Sequence, residues 1–122
     1  MGTMATRVLI VDDHPGFRAT ARALLEVEGY EVVGEAENGV QALRLAKELE
    51  PDLVLLDVQL PDFDGFEVAS RLTAATTDKT PKIVLTSSRD GSDFGPLVAQ
   101  SGARGFVAKA ELSGGALARL TA

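Results

Sequence analysis

Short apolar runs alternate with segments of helical periodicity along the whole sequence. Arg7–Val11 reads as a first strand, with Val8-Leu9-Ile10-Val11 uninterrupted by any polar residue. Pro15 suits the first turn of a helix, where its missing N–H costs nothing. Phe17, Ala21, Leu24 and Leu25 then recur at helical spacing, and Gly29 ends the element. Glu31–Glu35 is a second strand around Val32-Val33, and Asn38-Gly39 signals a turn into a second helix. That helix places Ala42, Leu43, Ala46 and Leu49 on its inner face and stops at Pro51-Asp52. Leu53–Leu56 is apolar at every position, the pattern of a central parallel strand buried on both faces. A third helix follows Asp64-Gly65 with Phe66, Ala69 and Leu72 inward; Thr76–Thr80 reads as a loop, and a fourth strand follows Pro81. Gly95-Pro96 breaks the next helical stretch. Proline inside a helix costs about 3 kcal/mol, so the fourth helix is expected to start at Pro96 and to be short. Gly105–Ala108 is the fifth strand. A fifth helix runs from about Leu112, with Leu117 and Leu120 inward and Gly114-Gly115 weakening its first turn.

Five successive strand-then-helix units predict an α/β fold: a doubly wound parallel sheet of five strands, with helices on both faces and right-handed crossovers. Residues 7–122 account for that one domain and leave none for a helix-turn-helix. Residues 1–6 are expected to be disordered, Met1-Gly2-Thr3 ahead of Met4 reading as an expression scar.

In such a sheet the C-terminal ends of the strands share one edge, which is where ligands bind. Four apolar runs deliver polar residues to it. The first ends in Asp12-Asp13, the third in Asp57, the fourth in Thr86-Ser87 and the fifth in Lys109. Adjacent carboxylates at a strand end are hard oxygen ligands suited to Mg²⁺; equally, an Asp ahead of Pro15 would cap the following helix. Asp57 closes a fully apolar strand and must be paired, metal-bound or exposed. It is either a nucleophile for phosphoryl transfer or a turn residue. Thr86 offers a hydroxyl to a phosphoryl oxygen, and Lys109 a point charge to a phosphate or to the Asp cluster. The single histidine, His14, is expected to be an exposed residue at the helix start without partners of metal-site type.

Composition narrows the classes. Eighteen acidic against twelve basic residues give a net charge of −6, which argues against a nucleic-acid surface on this domain. The absence of cysteine removes thiolate metal sites and disulfides and fits a cytoplasmic protein. No apolar stretch approaches the roughly 18–20 residues of a membrane span, so no membrane partner is expected. The glycines match no dinucleotide or Walker loop.

Taken together, Ile10-Val11-Asp12-Asp13-His14-Pro15, Asp57-Val58-Gln59-Leu60-Pro61-Asp62-Phe63-Asp64-Gly65, Leu85-Thr86-Ser87 and Gly102–Lys109 resemble the receiver domain of two-component response regulators. The resemblance covers essentially Arg7–Leu120, and the Asp-Asp-His-Pro-x-Phe-Arg opening is most similar to the branch that carries a LuxR-type DNA-binding output. It implies strand order 2-1-3-4-5 and a phosphoryl group transferred from a sensor histidine kinase to Asp57. It also implies Mg²⁺ held by Asp12, Asp13, Asp57 and the backbone carbonyl of Gln59. Lys109 and Thr86 would contact the phosphoryl group, and Phe106 would be the aromatic that changes rotamer on activation. Output, by analogy transcription regulation, would leave through the fourth helix, fifth strand and fifth helix. That face, or the first and fifth helices, is also the candidate surface for a homodimer.

Two points stay open at this level. Strand phasing favours Thr86 as the hydroxyl, whereas counting back from Lys109 favours Ser87. Phe106 reads equally as a buried strand aromatic. Two other functions compete: an interaction module that works without phosphorylation, and a Mg²⁺-dependent aspartyl phosphohydrolase. The second lacks its usual acid two residues past the nucleophile, where Gln59 stands. A protein acting on no external substrate, and so not an enzyme in that sense, is the expectation.

Overall fold

The three central strands of the computed structural model are buried along almost their whole length, because helices cover both faces of their sheet. The structure describes residues 5–74, 80–88 and 94–121. The strands are β1 (Arg7–Val11), β2 (Glu31–Ala36), β3 (Leu53–Asp57), β4 (Lys82–Ser87) and β5 (Gly105–Ala108). The helices are α1 (Pro15–Val27), α2 (Gly39–Leu49), α3 (Gly65–Ala74), α4 (Gly95–Gln100) and α5 (Gly114–Thr121). All strands pair in parallel in the order β2-β1-β3-β4-β5, as expected for a doubly wound sheet. The expectation for residues 1–6 falls largely on residues 1–4, which lie outside the described residues, as do 76–79 of the Thr76–Thr80 loop. Thr6 is tied into the sheet, its carbonyl accepting from Glu31 N at 2.9 Å.

Alternation along the strands divides the core in two. Val8, Ile10, Leu53, Leu55, Val84 and Val107 pack with Ala21 and Leu25 of α1 and Ala116 and Leu117 of α5. Leu9, Val11, Val54, Leu56, Ile83 and Leu85 pack with Ala42 and Ala46 of α2, Val68 and Ala69 of α3, and Val98 of α4.

Local chemistry explains where the elements begin. The Asn38 side chain accepts from Gln41 N at 2.8 Å and caps α2. α4 starts at Gly95, one residue before Pro96, so the proline sits in the first turn, where it is tolerated. The fifth helix differs more. Lys109–Glu111 form a short 3₁₀ turn and α5 begins only at Gly114. Ser113, not Leu112, can cap it, and its Oγ accepts from Ala116 N at 3.0 Å. The third helix turns Val68 and Ala69 fully inward, while Phe66 and Leu72 lie half-buried at its margin.

Candidate functional site

The parallel register brings the ends of β1, β3, β4 and β5 together. Val11 lies beside Leu56, Asp57 beside Thr86, and Thr86 beside Val107. Asp12, Asp57 and Thr86 fall two residues beyond Ile10, Leu55 and Val84, so they share the phase of the strand face that α1 and α5 cover. Lys109 follows Val107 by the same interval. Ser87 has the opposite phase, that of Leu85 and the α2–α3–α4 cluster. Strand pairing thus sets Thr86 beside Asp57 and gives Ser87 the opposite phase.

Asp12 is fully buried. Its Oδ1 accepts from His14 N at 2.8 Å, and its backbone N–H donates to Ala36 O at 3.0 Å. Lys109 Nζ lies 2.6 Å from Asp12 Oδ2. That ion pair is the one contact of Oδ2 among the described residues, and no other donor reaches it. Asp13 is more exposed, with its Oδ1 3.0 Å from His14 Nδ1. Neither carboxylate caps α1: His14 occupies that position with no side-chain cap, which overturns the helix-capping alternative for the pair.

Asp57 is 3% exposed. Its Oδ1 accepts from Gln59 N at 3.1 Å and its Oδ2 lies 3.4 Å from Lys109 Nζ. Burial, the largest influence, raises its pKa from 3.8 to about 6; the Gln59 N–H opposes this, the Asp12 charge adds to it, and Lys109 opposes it. Lys109 is itself held in place, its ammonium 4.5 Å from the centre of the Phe17 ring. Thr86 is fully buried and its Oγ1 has no hydrogen-bond partner among the described residues. A buried hydroxyl left in this way costs about 1–3 kcal/mol.

Gln59 sits on the exposed turn just past Asp57 and bridges to Asp64. Gly65 then opens α3 against the Asp57 backbone. A Cβ there would collide with the Asp57 carbonyl and stand 2.7 Å from Val58 Cα, which is why glycine is needed. Phe106 is half-buried, in contact with Phe94 at 5.8 Å between ring centres; Phe94 in turn meets Phe66 at 5.7 Å.

Sequence reasoning missed three contributors. Arg18 donates to the Asp12 carbonyl and, through Nε, to Glu35 at 3.0 Å. Glu35 also accepts from Arg22 at 2.7 Å, a hydrogen bond that lowers the Glu35 pKa against its burial. Asp62 accepts from Gly39 N at 2.7 Å and Val40 N at 3.0 Å, pinning the turn after Asp57 to the start of α2. The third is His14. It is exposed at the helix start as expected, but it does have carboxylate partners: Nδ1 is 3.0 Å from Asp12 Oδ1 as well as from Asp13 Oδ1. Adjacency to Asp12-Asp13 was the available signal.

A family model described as the response regulator receiver domain matches residues 8–119. A Pseudomonas aeruginosa protein named "Putative transcriptional regulator" is 43% identical over 106 residues, covering 87% of this chain and 50% of its own. The response regulator GacA of the same organism is 38% identical over 104 residues, 84% of this chain and 48% of its own. The chain thus spans about half the length of these curated relatives. The crystal structure of a two-component response regulator of the LuxR family from Aurantimonas sp. SI85-9A1 superposes with a TM-score of 0.83 at 34% identity, over 96% of this chain and 86% of that one. Among the described residues no helix is long and apolar enough to cross a membrane. Sheet order, the polar edge and the match over residues 8–119 converge: the chain belongs to the response regulator receiver domain family.

Proposed function

We propose that this domain accepts a phosphoryl group on Asp57 from a sensor histidine kinase. The state of Asp57 then sets the face formed by α4, β5 and α5, through which an output, by analogy with the relatives transcription regulation, is controlled. The observation that carries the reading is the single-phase alignment of Asp12, Asp57 and Thr86 on the sheet, with Lys109 reaching both carboxylates.

Asp57 is the nucleophile. With its pKa near 6 it is mostly ionised at neutral pH. One carboxylate oxygen forms the P–O bond as the P–N bond to the donor imidazole breaks, and that imidazole takes up a proton. Lys109 sits 3.4 Å from Asp57 Oδ2, placed to balance the charge of the new phosphoryl group. The Thr86 hydroxyl, without a partner among the described residues, gains an acceptor when the phosphoryl oxygens arrive, and Phe106, now packed against Phe94, is the aromatic that follows it inward.

The acidic cluster fits Mg²⁺. Asp12, Asp13 and Asp57 each offer a carboxylate oxygen in a group of ligand atoms that all lie within 4.8 Å of one another. Asp12 Oδ2, buried and met among the described residues by a cation alone, the Lys109 ammonium, is the kind of hard oxygen a divalent cation also satisfies. Asp12, Asp13, Asp57 and the Gln59 carbonyl would hold the ion, which when bound supplies positive charge to the phosphoryl oxygens.

The test is transfer itself. Acid-labile phosphate is expected on the parent protein after incubation with Mg²⁺ and a small acyl-phosphate donor, and Asp57→Asn is expected to take up none. Equal uptake by the variant would sink the assignment. A parent protein whose amide spectrum ignores beryllofluoride and Mg²⁺ would point to an interaction module that works without phosphorylation.

A further inference from the structure

His14 is the one chemically distinctive side chain at this edge that the phosphoryl chemistry leaves unused. Its position follows from its neighbour. Pro15 disfavours helical backbone in the residue before it, and His14 is extended at φ −97° and ψ 107°. It sits at the capping position of α1 yet makes no capping hydrogen bond. Its backbone N–H binds Asp12 Oδ1 instead, and the ring folds back so that Nδ1 lies 3.0 Å from one oxygen of Asp12 and 3.0 Å from one of Asp13.

Those two separations carry chemical meaning. Donor atoms at adjacent corners of an octahedron, each about 2.1 Å from a common ion, stand about 3.0 Å apart. Nδ1 therefore already has the spacing of a ligand alongside two carboxylates, and His14 belongs to the same group of metal-capable residues as Asp57. The deepest of these residues, Asp12, is fully buried, and its second oxygen, Oδ2, is reached among the described residues only by the Lys109 ammonium at 2.6 Å. We propose that His14 is a metal ligand of this site through Nδ1, converting an all-oxygen Mg²⁺ pocket into a mixed nitrogen–oxygen site that prefers borderline transition-metal dications such as Ni²⁺ or Zn²⁺.

The physical basis is donor softness. Carboxylates alone suit Mg²⁺, whereas an imidazole nitrogen gains little from Mg²⁺ and much from Ni²⁺ or Zn²⁺. The composition makes the point sharper: the chain has no cysteine and only this histidine. A preference for softer ions has no other side chain of that kind to reside on. Two His14 contacts, to Asp12 and Asp13, are hydrogen bonds or ion pairs when Nδ1 carries a proton; the ion replaces that proton, which goes to solvent. The consequence is a receiver whose acidic pocket takes transition metal in competition with Mg²⁺.

This inference rests on the acidic cluster being the cation site proposed above, and the experiment separates the two. Metal-stripped protein is titrated calorimetrically with Mg²⁺ and with Ni²⁺, for the parent and for His14→Ala. The ratio of Ni²⁺ to Mg²⁺ affinity is expected to fall at least tenfold in the variant. In parallel, ring ¹⁵N spectra of the single histidine are recorded with Zn²⁺ and with Mg²⁺. Zn²⁺ is expected to move the Nδ1 resonance to a metal-bound position, and Mg²⁺ to leave it in place. A ratio unchanged within twofold, or a ring indifferent to Zn²⁺, overturns the ligand role of His14 while leaving the Mg²⁺ site standing. No heat of Mg²⁺ binding and no Mg²⁺ effect on amides near Asp12 and Asp57 would instead remove the cation site itself.

Discussion

Replacing Asp57 by Asn is expected to make the metal-free protein more stable, and only above acidic pH. The folded protein holds this carboxyl at a pKa of about 6 against 3.8 for an ordinary aspartate, chiefly because it is buried. Between those values the folded state binds more proton than the unfolded one, so stability falls as pH rises. Below about 3.8 both states are protonated and Asp57 imposes no penalty; above about 6 both are ionised and the penalty is complete. About two units at roughly 1.4 kcal/mol each give about 3 kcal/mol. The asparagine of the variant is neutral throughout, keeps an oxygen for the Gln59 N–H, and presents an amide that can donate toward Asp12. It gives up the approach of Lys109 at 3.4 Å, so the net gain is expected to be about 1–3 kcal/mol at pH 8. The assay is urea denaturation in EDTA at pH 4, 6 and 8. The difference between variant and parent should be near zero at pH 4 and grow to its full value by pH 8. Saturating Mg²⁺ should then close the gap by stabilising the parent, since the ion binds only the folded state. A variant no more stable than the parent at pH 8, or a gain of equal size at all three pH values, would refute the reasoning.

Four further substitutions test the site and the core beneath it. Thr86→Val keeps the shape but removes the buried, unpartnered hydroxyl; the metal-free protein is expected to gain about 1 kcal/mol in urea denaturation, while the amide-spectrum response to beryllofluoride weakens. Ser87→Ala, on the opposite strand phase, should leave that response intact. Gly65→Ala drives a methyl group into the Asp57 carbonyl and is expected to cost about 1–3 kcal/mol, with reduced phosphate uptake in the donor assay. Leu55→Ala opens the core directly beneath the site, between β1 and β4; a loss of about 2–5 kcal/mol should appear as a lower urea midpoint at unchanged slope.

The linear pattern of the chain determined the elements and their class. Runs such as Leu53–Leu56, apolar at every position, have no stable alternative to burial on both faces, and a parallel sheet with helices on each side provides it. The polar residues that end those runs were legible for the same reason, since the strand ends of such a sheet share an edge. Boundaries set by single hydrogen bonds were not: α5 waits for the Ser113 cap, and α4 admits Pro96 by starting at Gly95. Thr86 and Ser87 are adjacent in sequence and alike in chemistry, and in the sequence strand phase favoured the first while the count back from Lys109 favoured the second. Only the pairing of β3 with β4 puts Thr86 beside Asp57 and turns Ser87 to the other face. His14 was legible as exposed, but its place 3.0 Å from two carboxylates depends on the backbone bend before Pro15 and on the ring folding back over the sheet edge. The raised pKa of Asp57 is likewise a tertiary property. Sequence supplies the carboxyl, and the packing of five strands and their helices removes the water that would have kept it acidic.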